Sequence, residues 1–506
     1  MASLFIRLHS RDGVVVAIEE LPAGTALPEV DVVCKDTIPI GHKVAVKAIA
    51  AGEPVRKFDQ IIGFATKAIA PGEHVHVHNM GMGETFDRTF DLAANTASGL
   101  LPEAERATFQ GIVRADGRVA TRNYIGVLTT VNCSATAAKL VADQFRSPAL
   151  EAFPNIDGVV ALTHSLGCGG VQEGDGMDIL RRTIGGYANH PNFGAVVIIG
   201  LGCENNQLGR LLEVEKLAVS DTLLPLVIQD VGGTAATVKE AVARIKAILP
   251  KVNDVHRQTV PASHITVGLQ CGASDGYSGI TANPALGAAV DLLVKHGGTA
   301  VLSETPEIYG AEHLLARRAV SPEIAEKLVE RIKWWEAYTA RTGDEMNNNP
   351  SPGNKKGGLT TILEKSLGAV AKAGTTNLVD VVKYGEPIPA HGLVFMDSPG
   401  YDPVSATGQV ASGANVICFT TGRGSVYGCK PSPSLKLATN TQLFNRMRDD
   451  MDINCGPIAT GEATIEEIGR VIFEAILATA SGQRTKSEEL GVGADEFAPW
   501  QIGAVM

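Results

Sequence analysis

The chain has 506 residues, 44% apolar and 20% charged, with a mean hydropathy of +0.09 and a net charge of -11. That length exceeds one ordinary hydrophobic core and predicts two or three domains, while the apolar content excludes disorder over most of the chain. The acidic balance excludes a general nucleic-acid or anionic-membrane binder, yet a small acidic substrate can still be held by a local cluster of donors.

Met1-Ala-Ser-Leu-Phe-Ile-Arg-Leu-His lacks the basic start, apolar run and cleavage site of a signal peptide, and no apolar segment is long enough to span a bilayer. The expected location is therefore the cytoplasm, with eight cysteines kept reduced. Free thiols there serve as buried side chains, metal ligands or nucleophiles.

Residues 1–80 carry short alternating runs, such as 43–49 and 61–66, divided by Pro-Ala-Gly, Ala-Gly-Glu and Pro-Gly-Glu. This is the pattern of a small β domain. The period fades over 81–107, which reads as a linker. From 108 onward, apolar runs end in Gly-, Ser- or Asn-bearing loops and lead into helix-like stretches, the alternation of a parallel α/β sheet. Strands are expected over 124–131, 159–162, 195–199, 265–269, 299–302, 393–396 and 416–420, and helices over 238–249 and 321–340. A break at 250–261 divides a middle domain, 108–255, from a C-terminal domain, 256–506. The polar segment 347–358 interrupts the latter, and such a loop inside a compact domain is functional or mobile.

In an open parallel sheet the carboxyl ends of the strands line one edge, where ligands bind. Cys133, Cys168, Cys203 and Cys271 each follow an apolar strand and precede a loop. One such cysteine is most simply a small buried residue. Four at one topological position, with His164 and Glu204 beside two of them, point to a metal, iron–sulfur or substrate site. His74, His76 and His78 alternate in Gly72-Glu-His-Val-His-Val-His-Asn and would share a strand face, able to bind a transition metal or meet an anion, or to form a polar edge. Lys43, after Gly41-His42, could hold a carboxylate. Thr420-Thr421-Gly-Arg423-Gly offers hydroxyls, backbone amides and a guanidinium suited to a planar carboxylate. Glu304 stands at a strand end where it could ligate a divalent ion, whereas Glu307 reads as a solvated acid in a first helical turn. Asp275, Asp397 and Asp402 occupy similar loops. No complete dinucleotide fingerprint or Walker lysine motif is present.

The stretches Ile40-Gly-His-Lys-Val-Ala, Gly72-Glu-His-Val-His-Val-His-Asn, Gly117-Arg-Val-Ala-Thr-Arg-Asn, Gly200-Leu-Gly-Cys-Glu-Asn-Asn-Gln, Ser274-Asp-Gly-Tyr-Ser-Gly-Ile-Thr-Ala-Asn283-Pro, Ser351-Pro-Gly-Asn-Lys-Lys-Gly-Gly, Glu364-Lys-Ser-Leu-Gly and Thr420-Thr-Gly-Arg-Gly resemble the altronate/galactarate dehydratase family over essentially the full length. The resemblance implies a small N-terminal β-clip (SAF-type) domain, an α/β middle domain that mediates a homodimer, and a Rossmann-like parallel-sheet C-terminal domain. It also implies a hydro-lyase dependent on ferrous iron (Fe2+), with Mn2+ as a substitute, acting on a sugar acid. The histidine segment resembles altronate-type and sulfolactate-lyase-type proteins, and galactarate-type members differ there. Asp450-Met-Asp-Ile-Asn-Cys-Gly and Thr460-Gly-Glu-Ala-Thr-Ile-Glu-Glu resemble the galactarate type. Altronate is the expected substrate, with galactarate, another aldonate or aldarate, or a sulfonated hydroxy acid as alternatives.

On this basis His164, Lys43 and His42 are assigned to catalysis, His164 as the base or acid and Lys43 on the substrate carboxylate. Arg423, Thr420, Thr421, His74, His76 and Asn283 are assigned to the substrate. Cys133, Cys168, Cys203, Cys271 and Glu304 are assigned to iron, mononuclear or as an iron–sulfur cluster. The small domain is expected to close over the site as a lid.

Overall fold

The computed structural model describes residues 3–83 and 99–503. Most of the stretch read as a linker, 81–107, lies outside the described residues. The small domain is built of antiparallel pairs. Phe5–Ile6, Val14–Ala17, Lys43–Ala45 and His74–Val75 form one sheet, and Pro54–Lys57, Gln60–Ala65 and Met80–Gly81 another. The strands expected from 43 and 61 are both present, although the first stops at Ala45.

The middle domain has four parallel strands in the spatial order Gly158–Leu162, Tyr124–Thr129, Phe193–Gly200, Leu223–Val227. Alternation decides its layers, because successive side chains of a strand point to opposite faces. Tyr124 and Leu128 pack with the helix Asp175–Ala188, while Ile125 and Val127 pack with Ala135–Asp143 and Thr234–Asn253. The last helix runs through Pro250 to Asn253, beyond the break expected there, because Ile245, Leu249 and Val252 continue a buried helical spacing. The rest of that break, Arg257–Pro261, is a strand paired with Thr108–Val113.

Seven parallel strands form the C-terminal sheet in the order Leu378–Val382, Gly392–Met396, Thr299–Leu302, Thr266–Gly272, Val416–Thr421, Ser434–Ala438, Ile453–Asn454. After Thr266–Gly272 the chain builds to one side, and it later returns to the other side with Val416–Thr421. A crevice therefore opens between the loops leaving these two strands, the topological switch point of an open α/β sheet. The helix Asp402–Ala411 joins the two domains: Ala406 and Val410 share a core with Leu128, Met177 and Ile198. Among the described residues, no helix is long and apolar enough to cross a membrane.

Arg122 fastens the middle domain to the C-terminal helices. Its buried guanidinium donates to Glu488 Oε1 and Oε2 at 2.6 and 2.8 Å, and to the carbonyls of Thr121, Thr479 and Gln483 at 2.8 Å each. Arg122→Met is expected to destabilise the protein by about 3–5 kcal/mol, since it leaves a buried carboxylate unpaired. Thermal unfolding measures this. Burial works to raise the Glu488 pKa, but its bonds to Arg122 outweigh that and lower it. A lowered carboxylate stabilises the fold above its unfolded pKa and loses that contribution as pH falls through the folded value. Acidification should therefore lower the unfolding midpoint more steeply in the wild type than in Glu488→Gln.

Candidate active site

Four segments meet at the switch point. Ala273, just past Thr266–Gly272, accepts hydrogen bonds from the Gly422 and Arg423 amides at 3.2 and 3.0 Å, which ties together the two strand-end loops. Asp275 packs so closely on Gly422 that a Cβ there would stand 2.1 Å from its carboxyl carbon. Gly276 N donates to Gly357 O at 2.7 Å, and a Cβ on Gly276 would meet Gly41 O at 2.0 Å. The loop of the small domain carrying His42 is thereby seated against the C-terminal sheet edge. Ala273 (φ 51°) and Glu304 (φ 72°) hold left-handed backbone at two strand ends. Such non-glycine strain costs about 1–3 kcal/mol per residue and collects at functional sites.

The small domain brings His42, His74 and His76 together, with one ring nitrogen of each within 4.8 Å of the others. The antiparallel register sets Val44 opposite His74, so the neighbouring His42 reaches the same place. His42 Nδ1 lies 3.0 Å from His74 Nε2, and His42 Nε2 lies 3.2 Å from Lys356 O. The strand ends at Val75, and a turn takes over: Asn79 Oδ1 accepts from the His76 amide and Asn79 Nδ2 donates to His74 O, each at 2.9 Å. His78 leaves the triad on this turn and is exposed. The strand expected to carry all three alternating histidines thus holds only His74; the turn stacks His76 beside it, and the third member comes from Gly41-His42. Burial lowers the His74 pKa to about 4, helped by His42 and His78. It lowers that of His76 to about 3, helped by Lys43. Three neutral imidazoles, with His76 Nδ1 buried and lacking a hydrogen-bond partner, are a donor set that fits Fe2+ or Mn2+.

Beneath the triad, Lys43 and Lys57 grip one carboxylate. Lys43 Nζ donates to Glu364 Oε1 and Oε2 at 3.0 and 2.8 Å and to Gly358 O at 2.6 Å, and Lys57 Nζ donates to Glu364 Oε1 at 3.0 Å. All three side chains are buried. Burial pushes Lys43 down to about 8, while the two ammonium groups, outweighing burial, hold Glu364 down to about 2. Glu364 belongs to the helix Ile362–Ala371, so this pair anchors the small domain to the C-terminal domain.

The next residue of that helix opens a second cluster. Lys365 Nζ donates to Glu307 Oε1 at 2.5 Å and to Asn349 Oδ1 at 2.6 Å, Cys271 Sγ donates to Glu307 Oε2 at 3.3 Å, and Lys372 Nζ lies 3.0 Å from Cys271 Sγ and 3.5 Å from Glu304 Oε2. Burial pushes the Cys271 thiol up to about 12 and holds Glu304 well above the carboxylate range. Cys271, Glu304 and Glu307 could converge on a cation. Lys365 and Lys372 already supply its positive charge, which disfavours a divalent ion there relative to the histidine triad. The cavity lined by Lys57, Cys271, Ser274, Asn283 and Lys365 has a volume of about 10 Å3, room for about one water.

Matches to known proteins cover most of the chain. Residues 3–83 match the Altronate/galactarate dehydratase SAF domain, 111–253 the D-galactarate dehydratase/Altronate hydrolase second domain, and 262–505 the D-galactarate/Altronate dehydratase C-terminal domain. The galactarate dehydratase (L-threo-forming) of Escherichia coli K12 is 40% identical over 97% of this chain and 95% of its own length. The altronate dehydratase of Bacillus subtilis 168 is 35% identical over 96% of each. The chain belongs to the altronate/galactarate dehydratase family. Its activity is that of a carbon–oxygen lyase. The (2R)-sulfolactate sulfo-lyase subunit beta of Chromohalobacter salexigens is 33% identical over 77% of this chain and 96% of that subunit.

Several assignments made from the sequence change within this family framework. Cys133, Cys168 and Cys203 leave the middle sheet and are exposed, whereas Cys271 is buried in the C-terminal sheet, so the four cysteines do not form one iron site. Strand-end position was shared, but two separate sheets supply it. Glu307 is no solvated acid: it is buried and bound to Lys365. His164 is no acid or base at this site, because Nε2 meets Thr129 O at 2.9 Å and Nδ1 accepts from the Leu166 amide at 3.1 Å within the middle domain. Lys43 binds the protein's own Glu364 in place of a substrate carboxylate. Thr420 Oγ1 donates to Asn283 Oδ1 at 2.6 Å and Asn283 Nδ2 donates to Gly368 O at 2.8 Å, so both brace the site from within. Thr421 Oγ1 accepts from the Gly424 amide at 3.1 Å and shapes the loop that leaves Arg423 exposed. Lys57 and Lys372 carried no motif, and Glu364 and Lys365 stood out only within Glu364-Lys-Ser-Leu-Gly.

Proposed function

We propose that the chain is a metal-dependent sugar-acid dehydratase that holds its metal on His42, His74 and His76 and takes altronate as its first substrate. The observation that carries this reading is the neutral imidazole triad pressed by the small domain against the switch-point crevice. Fe2+, or Mn2+ in its place, would supply Lewis-acid polarisation of the substrate carboxylate when bound there. Dehydration removes the proton beside that carboxylate and expels the neighbouring hydroxyl as water, and the resulting enol tautomerises to a 2-keto-3-deoxy acid.

The chain's own groups divide the remaining work. Arg423 presents its guanidinium from the loop at the crevice and grips the substrate carboxylate. Lys43, adjacent to His42, gives its hydrogen bonds to Glu364 and Gly358 O and so fixes the loop that carries His42. Its positive charge beside Lys57 also disfavours protonation of the triad. The docked small domain excludes water from the enol. Arg423→Ala is expected to raise KM at least about 10-fold with little change in kcat, matching loss of charge-assisted hydrogen bonds worth about 1.5–3 kcal/mol.

Altronate is placed first because the segment that supplies His74 and His76 resembles the altronate type. Galactarate is the second reading, favoured by the 40% identity to a galactarate dehydratase. An anaerobic, iron-supplemented screen of aldonates and aldarates with keto-acid detection decides between them. Keto acid from none of them, with sulfite released from sulfolactate, would overturn the dehydratase reading.

A further inference from the structure

Three neighbouring strands of the middle sheet, Gly158–Leu162, Tyr124–Thr129 and Phe193–Gly200, are each followed by a loop with one exposed cysteine: Cys168, Cys133 and Cys203. The loops are laced together beside these thiols. Asn132 N donates to Leu166 O at 3.0 Å and Asn206 N donates to Gly167 O at 3.0 Å. Asn206 Nδ2 donates to Thr130 O at 3.1 Å, and Thr130 Oγ1 donates to Glu204 Oε1 at 2.6 Å. A Cβ on Gly167 would stand 2.2 Å from Thr130 O, so the Cys168 loop lies directly on the Cys133 loop. Around Gly169 and Gly170 the space is open.

We infer that Cys133, Cys168 and Cys203 form a site for a four-iron, four-sulfide cluster, separate from the histidine triad. The hydrogen bonds beside the three thiols hold neighbouring strand-end loops against one another on one edge of the sheet. Thiolates on a cluster bind different irons and stand farther apart than the ligands of one ion. Two ferrous ions, two ferric ions and four sulfides make the cluster without any electron transfer, and each thiol releases its proton on binding. Three protein ligands leave the fourth iron open to an oxygen ligand such as a hydroxyl or carboxylate. The cluster site rests on the three loops alone and does not require the dehydratase reading.

The test is anaerobic reconstitution of the full-length protein with ferrous iron, ferric iron and sulfide. Four irons and four acid-labile sulfides per chain, with a visible charge-transfer band, are expected. Cys133→Ser, Cys168→Ser and Cys203→Ser should each lose most of the sulfide and the band while keeping the wild-type unfolding midpoint, and Cys455→Ser, buried elsewhere, should retain both. His74→Ala should keep the cluster, so loss of turnover in that variant with the band intact separates the two sites. No labile sulfide in the wild type, or full retention in the three exposed-cysteine variants, would overturn the cluster.

Discussion

His74→Ala is expected to reduce turnover of the responsive sugar acid by at least about 100-fold, because loss of groups that merely support metal ligands already costs about 10–100-fold. The three rings form a near-equilateral triangle, with centroids 5.1 Å apart for His42 and His74, 5.3 Å for His74 and His76, and 4.9 Å for His42 and His76. Removing His74 leaves two nitrogens where three converge. Bound iron or manganese, measured after dialysis, should fall with activity. His78→Ala, on the exposed side of the turn, should keep near-normal turnover and metal content. Equal losses in both variants would show that the segment matters as a folded loop and not as a ligand set.

Glu364→Gln is expected to have the largest effect on how the domains hold together. It leaves Lys43 and Lys57 buried beside a neutral amide, and breaking a buried ion pair from one side costs about 3–5 kcal/mol. The small domain would lose its anchor on the helix Ile362–Ala371, so limited proteolysis should release it and turnover should collapse even though every triad histidine is present. Removal of residues 1–83 should abolish turnover for the same reason, since His42, His74 and His76 leave together. Full activity after the removal would place the chemistry away from the triad, and full activity of Glu364→Gln would show that this anchor is not needed. The pH dependence has a definite sign. Glu364 is held down to about 2, so its contribution is complete above the ordinary glutamate range and is lost as pH falls toward that value.

Local sequence marks some parts of the site and leaves others unmarked. His74 and His76 are two residues apart, and short-range periodicity identifies such a pair. His42 joins them through the pairing of Lys43–Ala45 with His74–Val75, and nothing local to Gly41-His42 announces that partner. Arg423 was visible because a guanidinium between two glycines is itself a chemical pattern. Glu307 was misjudged because the first turn of a helix usually faces water, whereas here that turn is covered by the helix bearing Lys365. His164 illustrates the opposite error. A histidine beside a strand end looks catalytic until both ring nitrogens are found bound to backbone.

Composition, hydrophobic period and turn residues determined the small β domain, the α/β alternation and the strands that build both parallel sheets, because these depend on residues close together in the chain. They also placed Cys133, Cys168, Cys203 and Cys271 at strand ends. Which strand ends share an edge was decided only by tertiary structure. Three of those cysteines lie on one sheet and the fourth on another, since sheet membership follows from packing among helices distant in sequence. Docking of the small domain likewise decided the site. Burial of Lys43, Lys57 and Glu364 between domains is repaid only when all three meet, so an interaction between residues some 300 positions apart settles where the three imidazoles face.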